Sequence, residues 1–408
     1  MIDIKTAVFW RATIALGASS FLVFANLYFP QPLLPLFTNE FGVTETVSSL
    51  IISISLFVLG ISFFLYTALS DAYGRRVIIF VTMTLGVAGT ILLSIVPSFE
   101  WLLAVRVLQA AALAGVPVAA MAYISEEYAV RAMTVAVGIY ISANSLGGMG
   151  GRFISGVLTD AFDWRTAFLV MGAISVVVFF IVLLLLPRSN QFQARPFQLK
   201  ALFRDNKRHI KRPAMKLAYI IGGLHFFVFI GVFNFITYYL SGEPFSVSTA
   251  VLGMLFLTYG AGTISSTLAG KAAHIWKQTV CMFFGIACMA SSILLTLIPV
   301  FPVIILALLL LSFGFFFVHS SSSSWVTRHA KEAKASASGL YLTAYYLGGS
   351  LGSFYYGLLW PSFGWNGIVL GSLLILCVTI FCTAKLHLIE KKENQAVKRY
   401  SMAAGQHS

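Results

Sequence analysis

Long apolar runs follow one another along almost the whole chain, separated by short polar segments. A helix needs about 20 apolar residues to cross the hydrocarbon core of a membrane, and runs of that length recur twelve times. They lie at about 13–35, 46–68, 77–97, 101–124, 133–159, 166–186, 216–240, 247–269, 278–299, 302–326, 336–360 and 365–387. The pattern predicts an all-α integral membrane protein with twelve transmembrane helices. Pro30, Pro32 and Pro35 are expected to bend or end the outer half of the first helix.

The second half of the chain repeats the first. At a constant offset of 201 residues, glycines and aromatic residues of the two halves align, among them Gly147 with Gly348, Gly156 with Gly357 and Trp164 with Trp365. This repeat predicts two pseudo-symmetric six-helix bundles. The predicted segments are an N-terminal bundle at 1–186, a basic linker at 187–215, a C-terminal bundle at 216–390 and a tail at 391–408.

Charged residues are scarce and unevenly placed. They make up 10% of the 408 residues, against about 25% in a soluble domain. Apart from Arg106, Arg152 and Arg165, the 27 Lys and Arg residues lie at the termini, in every second loop or at the span ends next to them, where the positive-inside bias places them. We therefore predict that both termini and the linker are cytoplasmic. The net charge of +13 then reflects topology, and no nucleic-acid partner is expected.

The chain carries no catalytic or metal-binding motif. Its four cysteines lie in apolar runs and form neither a disulfide framework nor a CxxC pair. The GxxxxGK[ST] and HExxH motifs are absent. The GxSxG spelling occurs at 348–352, but it lies inside an apolar run and not at the strand-to-helix turn that the catalytic motif requires. We predict that the protein is not an enzyme and uses no metal or other cofactor.

The loop between the second and third spans carries a compact group of charges. Asp71 is followed closely by Gly74, Arg75 and Arg76. An acid at a helix end can pair with a nearby cation or with the positive N-terminus of another helix. We predict that these four residues form a conformational switch; the alternative is an ordinary cytoplasmic turn with the usual basic bias.

The fourth span contains a buried charge. Arg106 and Gln109 are three residues apart and share a helix face. A guanidinium in hydrocarbon costs from about 3 kcal/mol upward, so Arg106 is expected either to face a wet cavity or to be satisfied by backbone carbonyls. In the loop that follows, Glu127 precedes Arg131 by four residues, which predicts a helical ion pair.

Glycines dominate the fifth span. Small residues four apart let another helix approach closely, and Asn144 and Arg152 lie on the face beside them at helical spacing. We predict close helix packing at Gly147, Gly148, Gly151 and Gly156.

These motifs resemble those of the major facilitator superfamily. The charged loop is similar to that family's Gly-x-x-x-Asp-x-x-Gly-Arg-Arg signature, with Thr67 in place of the first glycine. The fourth span is similar to its Arg-x-x-Gln-Gly pattern, with Ala110 in place of the glycine. The Leu-Gly-Gly-Met-Gly-Gly-Arg run that ends at Arg152, with Asp-Trp-Arg at 163–165, looks most like the acriflavine-resistance-type (YnfM-like) bacterial transporters.

The resemblance implies two six-helix bundles that move about a central cavity, with Arg106 linked to substrate binding and proton exchange. It also implies antiport of protons for small amphipathic compounds, and hence multidrug resistance, in a bacterial inner membrane. In this family, exporters of cationic dyes often carry a carboxylate in their early helices, and this chain has Asn26 in its first span.

Two histidines lie inside apolar runs, His225 in the seventh span and His319 in the tenth. Histidine exchanges a proton near neutral pH, so His225 and His319 are candidate proton carriers; the other interpretation is that they hydrogen-bond between helices. Phe229 shares the face of His225 and is predicted to line the same cavity. Asn234 is about half a turn out of phase, so it could face that cavity only if the helix unwinds near Gly231.

The leading interpretation is a monomeric secondary active transporter in a lipid bilayer, which exports small amphipathic molecules and draws its energy from a proton gradient. Because arginines but no carboxylates lie mid-span, neutral or anionic substrates are expected to be preferred over lipophilic cations. The predicted substrate-cavity residues are Asn26, Arg106, Gln109, Asn144, Arg152, His225, Phe229 and His319. One alternative is a transporter of a sugar or organic anion, with Arg106 and Arg152 as anion ligands. Another is a membrane sensor or scaffold that transports nothing.

Overall fold

A computed structural model describes residues 1–194, 208–330 and 334–405. The middle of the predicted linker (195–207), residues 331–333 and the last three residues of the predicted tail lie outside the described residues. Regular structure in the described part is helical, apart from an isolated β-bridge between Ile2 and Tyr128.

Eleven helices in the described part are long and apolar enough to cross a membrane. The last of them, Ser336–Lys392, has a non-helical backbone at Gly364 (φ 53°, ψ −143°), so it is two helices joined by a turn. We number the resulting helices α1 Ala7–Phe41, α2 Glu45–Tyr73, α3 Arg75–Leu93, α4 Phe99–Glu127, α5 Val130–Ala161, α6 Trp164–Leu185, α7 Pro213–Ser241, α8 Thr249–Ile275, α9 Gln278–Leu295 and α10 Phe301–His329, with α11 before and α12 after Gly364. They coincide with the twelve predicted spans, and the predicted all-α membrane fold is confirmed.

The first helix is broken where its prolines lie. It is regular over Ala7–Tyr28, continues as a 3₁₀ turn over Gln31–Leu33, and becomes α-helical again over Leu34–Phe41. Proline has no backbone N–H, so the carbonyl one turn earlier loses its helical donor. In a membrane such a carbonyl needs another donor from the protein, and polar side chains therefore gather at this break.

The fifth and eleventh helices repeat one packing arrangement. A Cβ added to Gly147 on α5 would lie 2.8 Å from the Cα of Phe21 on α1. A Cβ added to Gly348 on α11 would lie 2.6 Å from the Cα of Gly223 on α7. Side chains larger than hydrogen are excluded at both crossings. Because the offset of 201 relates Gly147 to Gly348, the repeat seen in the sequence is also a repeat of helix contacts.

The chain divides into two compact units. Unit 1 contains the first six helices together with Ile230–Tyr259 and Gly349–Ile368. Unit 2 contains α7 up to Phe229, the stretch Gly260–Gly348 and the chain from Val369 onward. The residue boundaries predicted for the two bundles, the linker and the tail stay predictions.

Candidate functional site

In unit 1, the turn between α2 and α3 is built around Arg75. Gly74 adopts φ +100°, a conformation that glycine tolerates, and places Arg75 at the start of α3. The Arg75 guanidinium lies 2.5 Å from an Asp71 carboxylate oxygen and 2.6 Å from Glu126 Oε1. Its Nε also donates to Glu126 Oε2 at 3.1 Å, which makes the second pair bidentate. Arg76 takes no part in this triad, and its guanidinium lies over the Phe80 ring.

Glu126 was not predicted as a partner of Arg75; a helical ion pair between Glu127 and Arg131 was expected instead. That expectation is wrong, because α4 ends at Glu127 and Tyr128 is extended, so the two residues lie on different helices. Glu127 accepts a hydrogen bond from the backbone N–H of Gln191. A pair of adjacent acids at the end of a helix was the available signal for a partner to the basic turn.

Asn26, Arg106 and Gln109 come together in unit 1, and each is at most 1% exposed. Arg106 Nη1 donates to the Asn26 carbonyl at 3.0 Å and to Gln109 Oε1 at 2.6 Å, and Nη2 donates to the Leu27 carbonyl at 2.6 Å. The Thr90 hydroxyl donates to Asn26 Oδ1 and accepts from Gln109 Nε2. The three predicted cavity residues thus form one hydrogen-bonded cluster beside the proline break within α1.

Arg152 on α5 begins a second chain of hydrogen bonds in unit 1. Its Nη1 donates to the Gly148 carbonyl, and its Nε donates to Gln31 Oε1 at 2.7 Å. Gln31 Nε2 donates to Asn234 Oδ1 at 2.6 Å, and Asn234 Nδ2 donates to Ser353 Oγ at 2.6 Å. The offset of 201 relates Arg152 to Ser353, so the chain of bonds joins equivalent positions of the two sequence repeats.

Three aromatic rings surround the Arg152 guanidinium. Its Cζ lies 4.0 Å from the centre of the Tyr28 ring, 4.6 Å from that of Phe256 and 4.9 Å from that of Tyr259. Cation–π contacts of this kind are worth about 2 kcal/mol or more when the charge is desolvated. The aromatic cage and the hydrogen bonds together hold a charge that is 1% exposed.

The other predicted residues of α5 lie within about two helical turns of Arg152. Asn144 is two turns before Arg152 and only half-buried. A Cβ added to Gly151 would lie 2.6 Å from the Cα of Ala25 on α1, and one added to Gly156 would lie 2.8 Å from the Cα of Gly253 on α8.

In unit 2, His225 on α7 and His319 on α10 face each other, with ring centres 5.7 Å apart. Phe229 stacks on Phe315, with ring centres 3.7 Å apart. The helix does not unwind at Gly231, since α7 is continuous over Pro213–Ser241. His225 and Asn234 therefore do not face one cavity. His225 pairs with His319 in unit 2, and Asn234 is hydrogen-bonded to Gln31 in unit 1.

Gln31 was also missed from the sequence, although it is completely buried and connects Arg152 to Asn234. A glutamine between two prolines inside an apolar run was the signal. Proline leaves backbone carbonyls without their helical donors, and within a membrane other groups of the protein must supply the missing hydrogen bonds. A polar residue next to such a break is therefore a candidate hydrogen-bonding partner.

A sequence model described as the Major Facilitator Superfamily matches residues 16–353. The chain belongs to this superfamily. It is 37% identical over 382 residues to the inner membrane transport protein YnfM of Escherichia coli K12, covering 94% of this chain and 92% of that protein. It is 36% identical to the uncharacterized MFS-type transporter YybF of Bacillus subtilis 168, covering 89% of this chain and 90% of that protein.

The fold is similar to a bacterial homologue of the human lysosomal transporter Spinster in an inward-facing, unoccupied conformation. The TM-score is 0.77 at 17% identity, over 94% of this chain and 97% of that structure. The predicted family and its YnfM-like subgroup are confirmed. The chain is a multi-pass membrane transporter with the fold and relatives of transporters rather than enzymes.

Proposed function

We propose that this transporter exports small amphipathic compounds across a bacterial inner membrane in exchange for protons. It works as a monomer with both termini in the cytoplasm, and the proton gradient replaces any cofactor. The observation that carries proton coupling is the pair His225 and His319, 5.7 Å apart within the membrane helices. Histidine is the side chain whose ordinary titration falls near neutral pH, and the described carboxylates lie at or beyond the helix ends.

Two polar networks of unit 1 suit alternating access. The Arg75 triad fastens the α2–α3 turn to the end of α4. The Arg75 triad is therefore near the N-terminal end of α5, whereas Arg152 is near the C-terminal end of the same helix. The hydrogen bonds that start at Arg152 connect α1 and α5 with residues of α7 and α11. Each network is a set of charge-assisted or buried hydrogen bonds that can form in one state and break in another.

The test is transport into proteoliposomes with an acidic or an alkaline interior. In an antiporter, protons leaving the acidic side draw substrate towards it, so neutral compounds should accumulate in acid-loaded vesicles. Protein-free vesicles control for passive partition. Accumulation in alkaline-loaded vesicles instead would establish symport. Transport that is the same with either pH gradient would show that it is not coupled to protons.

Transport of an organic anion is the second candidate. Arg106 and Arg152 are buried cations, and the described carboxylates lie at or beyond the helix ends. An anionic substrate would offset that charge. The same vesicles, loaded with a panel of cationic, neutral and anionic compounds, separate the two candidates.

A further inference from the structure

His225 holds a buried acceptor atom. Its Nδ1 lies 2.7 Å from the carbonyl oxygen of Ile221, one helical turn earlier. A carbonyl oxygen can only accept, so Nδ1 carries the hydrogen and the neutral ring presents a bare lone pair at Nε2. That Nε2 is buried, and it has no hydrogen-bond partner among the described residues. Such atoms are uncommon in folded proteins and point to a partner that binds there.

Stacked aromatic pairs surround this atom. Phe226 stacks on Tyr345 with ring centres 3.8 Å apart, and Phe229 stacks on Phe315 with ring centres 3.7 Å apart. The Phe315 and Tyr345 rings lie 5.1 and 5.8 Å from the His225 ring. A planar aromatic molecule could replace one ring of such a pair, because one stacking contact is exchanged for another.

His319 forms the neighbouring edge of the same cluster and is only half-buried. Its Nδ1 lies 3.1 Å from the Tyr341 hydroxyl, which lies 2.7 Å from Ser322 Oγ. The titratable groups around His225 are thus His319 from α10 and Tyr345 from α11, with Tyr341 beyond His319. Two imidazolium ions this close repel each other, so the pair favours a single proton.

We propose that Nε2 of His225 binds either the coupling proton or an O–H or N–H group of a neutral planar aromatic substrate. One lone pair serves both ligands, so each excludes the other. When the substrate donates to Nε2, the atom has no lone pair left for a proton. When Nε2 is protonated, it has none left for the substrate. This proposal rests on the proposed proton exchange and adds to it the atom at which proton and substrate compete.

The first test compares two probes that differ in one hydrogen-bond donor. Binding of 2-naphthol and of 2-methoxynaphthalene to the full-length protein in detergent is measured between about pH 5 and pH 8, where histidine titrates. At the alkaline end, naphthol should bind about tenfold more tightly than its ether, because only naphthol donates to the buried acceptor. As the pH falls, naphthol affinity should decrease and binding should release protons, whereas the affinity of the ether should not fall.

Two variants separate the acceptor from the proton site. His225→Gln keeps an acceptor that does not titrate, so the preference for naphthol should remain and its pH dependence should vanish. His225→Phe removes both, so the two probes should bind alike. His274→Gln, at an exposed histidine of α8, should behave as the wild type. Equal binding of the two probes by the wild type, no binding of naphthol, or pH dependence that persists in His225→Gln would each overturn the proposal.

Transport in acid-loaded vesicles distinguishes this proposal from the proposed function. If naphthol binding follows the expected pattern but the gradient drives no transport, proton-coupled export is wrong and the shared site stands. If the gradient drives transport equally well in the wild type and in His225→Gln, export stands and the shared site is wrong.

Discussion

Pro30 and Arg106 complement each other. Pro30 has no N–H to offer the Asn26 carbonyl four residues earlier, and Arg106 donates to that carbonyl at 3.0 Å. It also donates to the Leu27 carbonyl in the last turn before the break. Of the two alternatives for Arg106, the structure therefore shows the contacts with backbone carbonyls. These contacts are compatible with a further role in transport, because hydrogen bonds that complete a helix can also change during the cycle.

Arg106→Ala should lower both the melting temperature and transport. It leaves two buried carbonyls and Gln109 with fewer donors, at about 1–3 kcal/mol for each unsatisfied group. Adding Pro30→Ala returns an N–H to the Asn26 carbonyl and should recover part of the lost stability. Thermal unfolding of the wild type, both single variants and the double variant measures this coupling. Strictly additive losses would mean that the proline break is not what Arg106 satisfies.

At the scale of the element, the α1–α5 crossing depends on which side of α5 a glycine faces. A Cβ at Gly151 would lie 2.6 Å from the Cα of Ala25. A Cβ at the neighbouring Gly150 meets only the Phe21 ring, at 3.5 Å or more. The first distance requires the helices to separate, whereas the second is an ordinary van der Waals contact.

Gly151→Ala should therefore reduce thermal stability and transport, whereas Gly150→Ala should be neutral or slightly stabilising. Alanine favours a helix by about 1 kcal/mol over glycine, so the control variant separates helix propensity from helix contact. Melting temperature and vesicle transport are measured for both variants. Equal behaviour of the two would show that the backbone contact with α1 contributes little.

At the scale of the whole molecule, the local sequence pattern was sufficient to predict the membrane-spanning helices but not the side chains with which the buried charges pair. The apolar runs predicted all twelve helices, and the prolines predicted the break in α1. The pairing of Asp71 with a nearby cation was expected, but Glu126 as a partner of Arg75 and Gln31 as a partner of Arg152 were missed, because they lie 51 and 121 residues away along the chain. The expected pairing of Glu127 with Arg131 assumed a continuous helix, but the chain turns at Tyr128. Contacts set by folding over such distances leave no periodic trace in a single sequence.

The Arg152 chain links the two repeats through Gln31, so Gln31→Met should loosen that link without changing any charge. Arg152 and Asn234 would each lose a hydrogen bond, and backbone hydrogen exchange should become faster in segments 28–41 and 230–241. Gln278→Met, the same replacement at a glutamine bonded to Ser324 in unit 2, is the control and should leave both segments unchanged. Unchanged exchange in Gln31→Met would mean that the hydrogen bonds of Gln31 contribute little to the stability of these segments.

At the scale of the whole molecule, the two buried arginines also lead to a prediction of which substrate charge is preferred. Arg106 and Arg152 are 0% and 1% exposed, and the described carboxylates lie at or beyond the helix ends. Charges in a medium of low dielectric interact over long distances, so a lipophilic cation meets net repulsion and an anion of the same shape meets attraction. Tetraphenylphosphonium and tetraphenylborate are such a pair, and tetraphenylborate should bind more tightly to the protein in detergent. Arg152→Gln should reduce the difference in affinity between the two ions, since it removes one buried charge and keeps a hydrogen-bond donor for Gln31. Tighter binding of the phosphonium ion, unaffected by Arg152→Gln, would contradict the preference and favour a cation exporter.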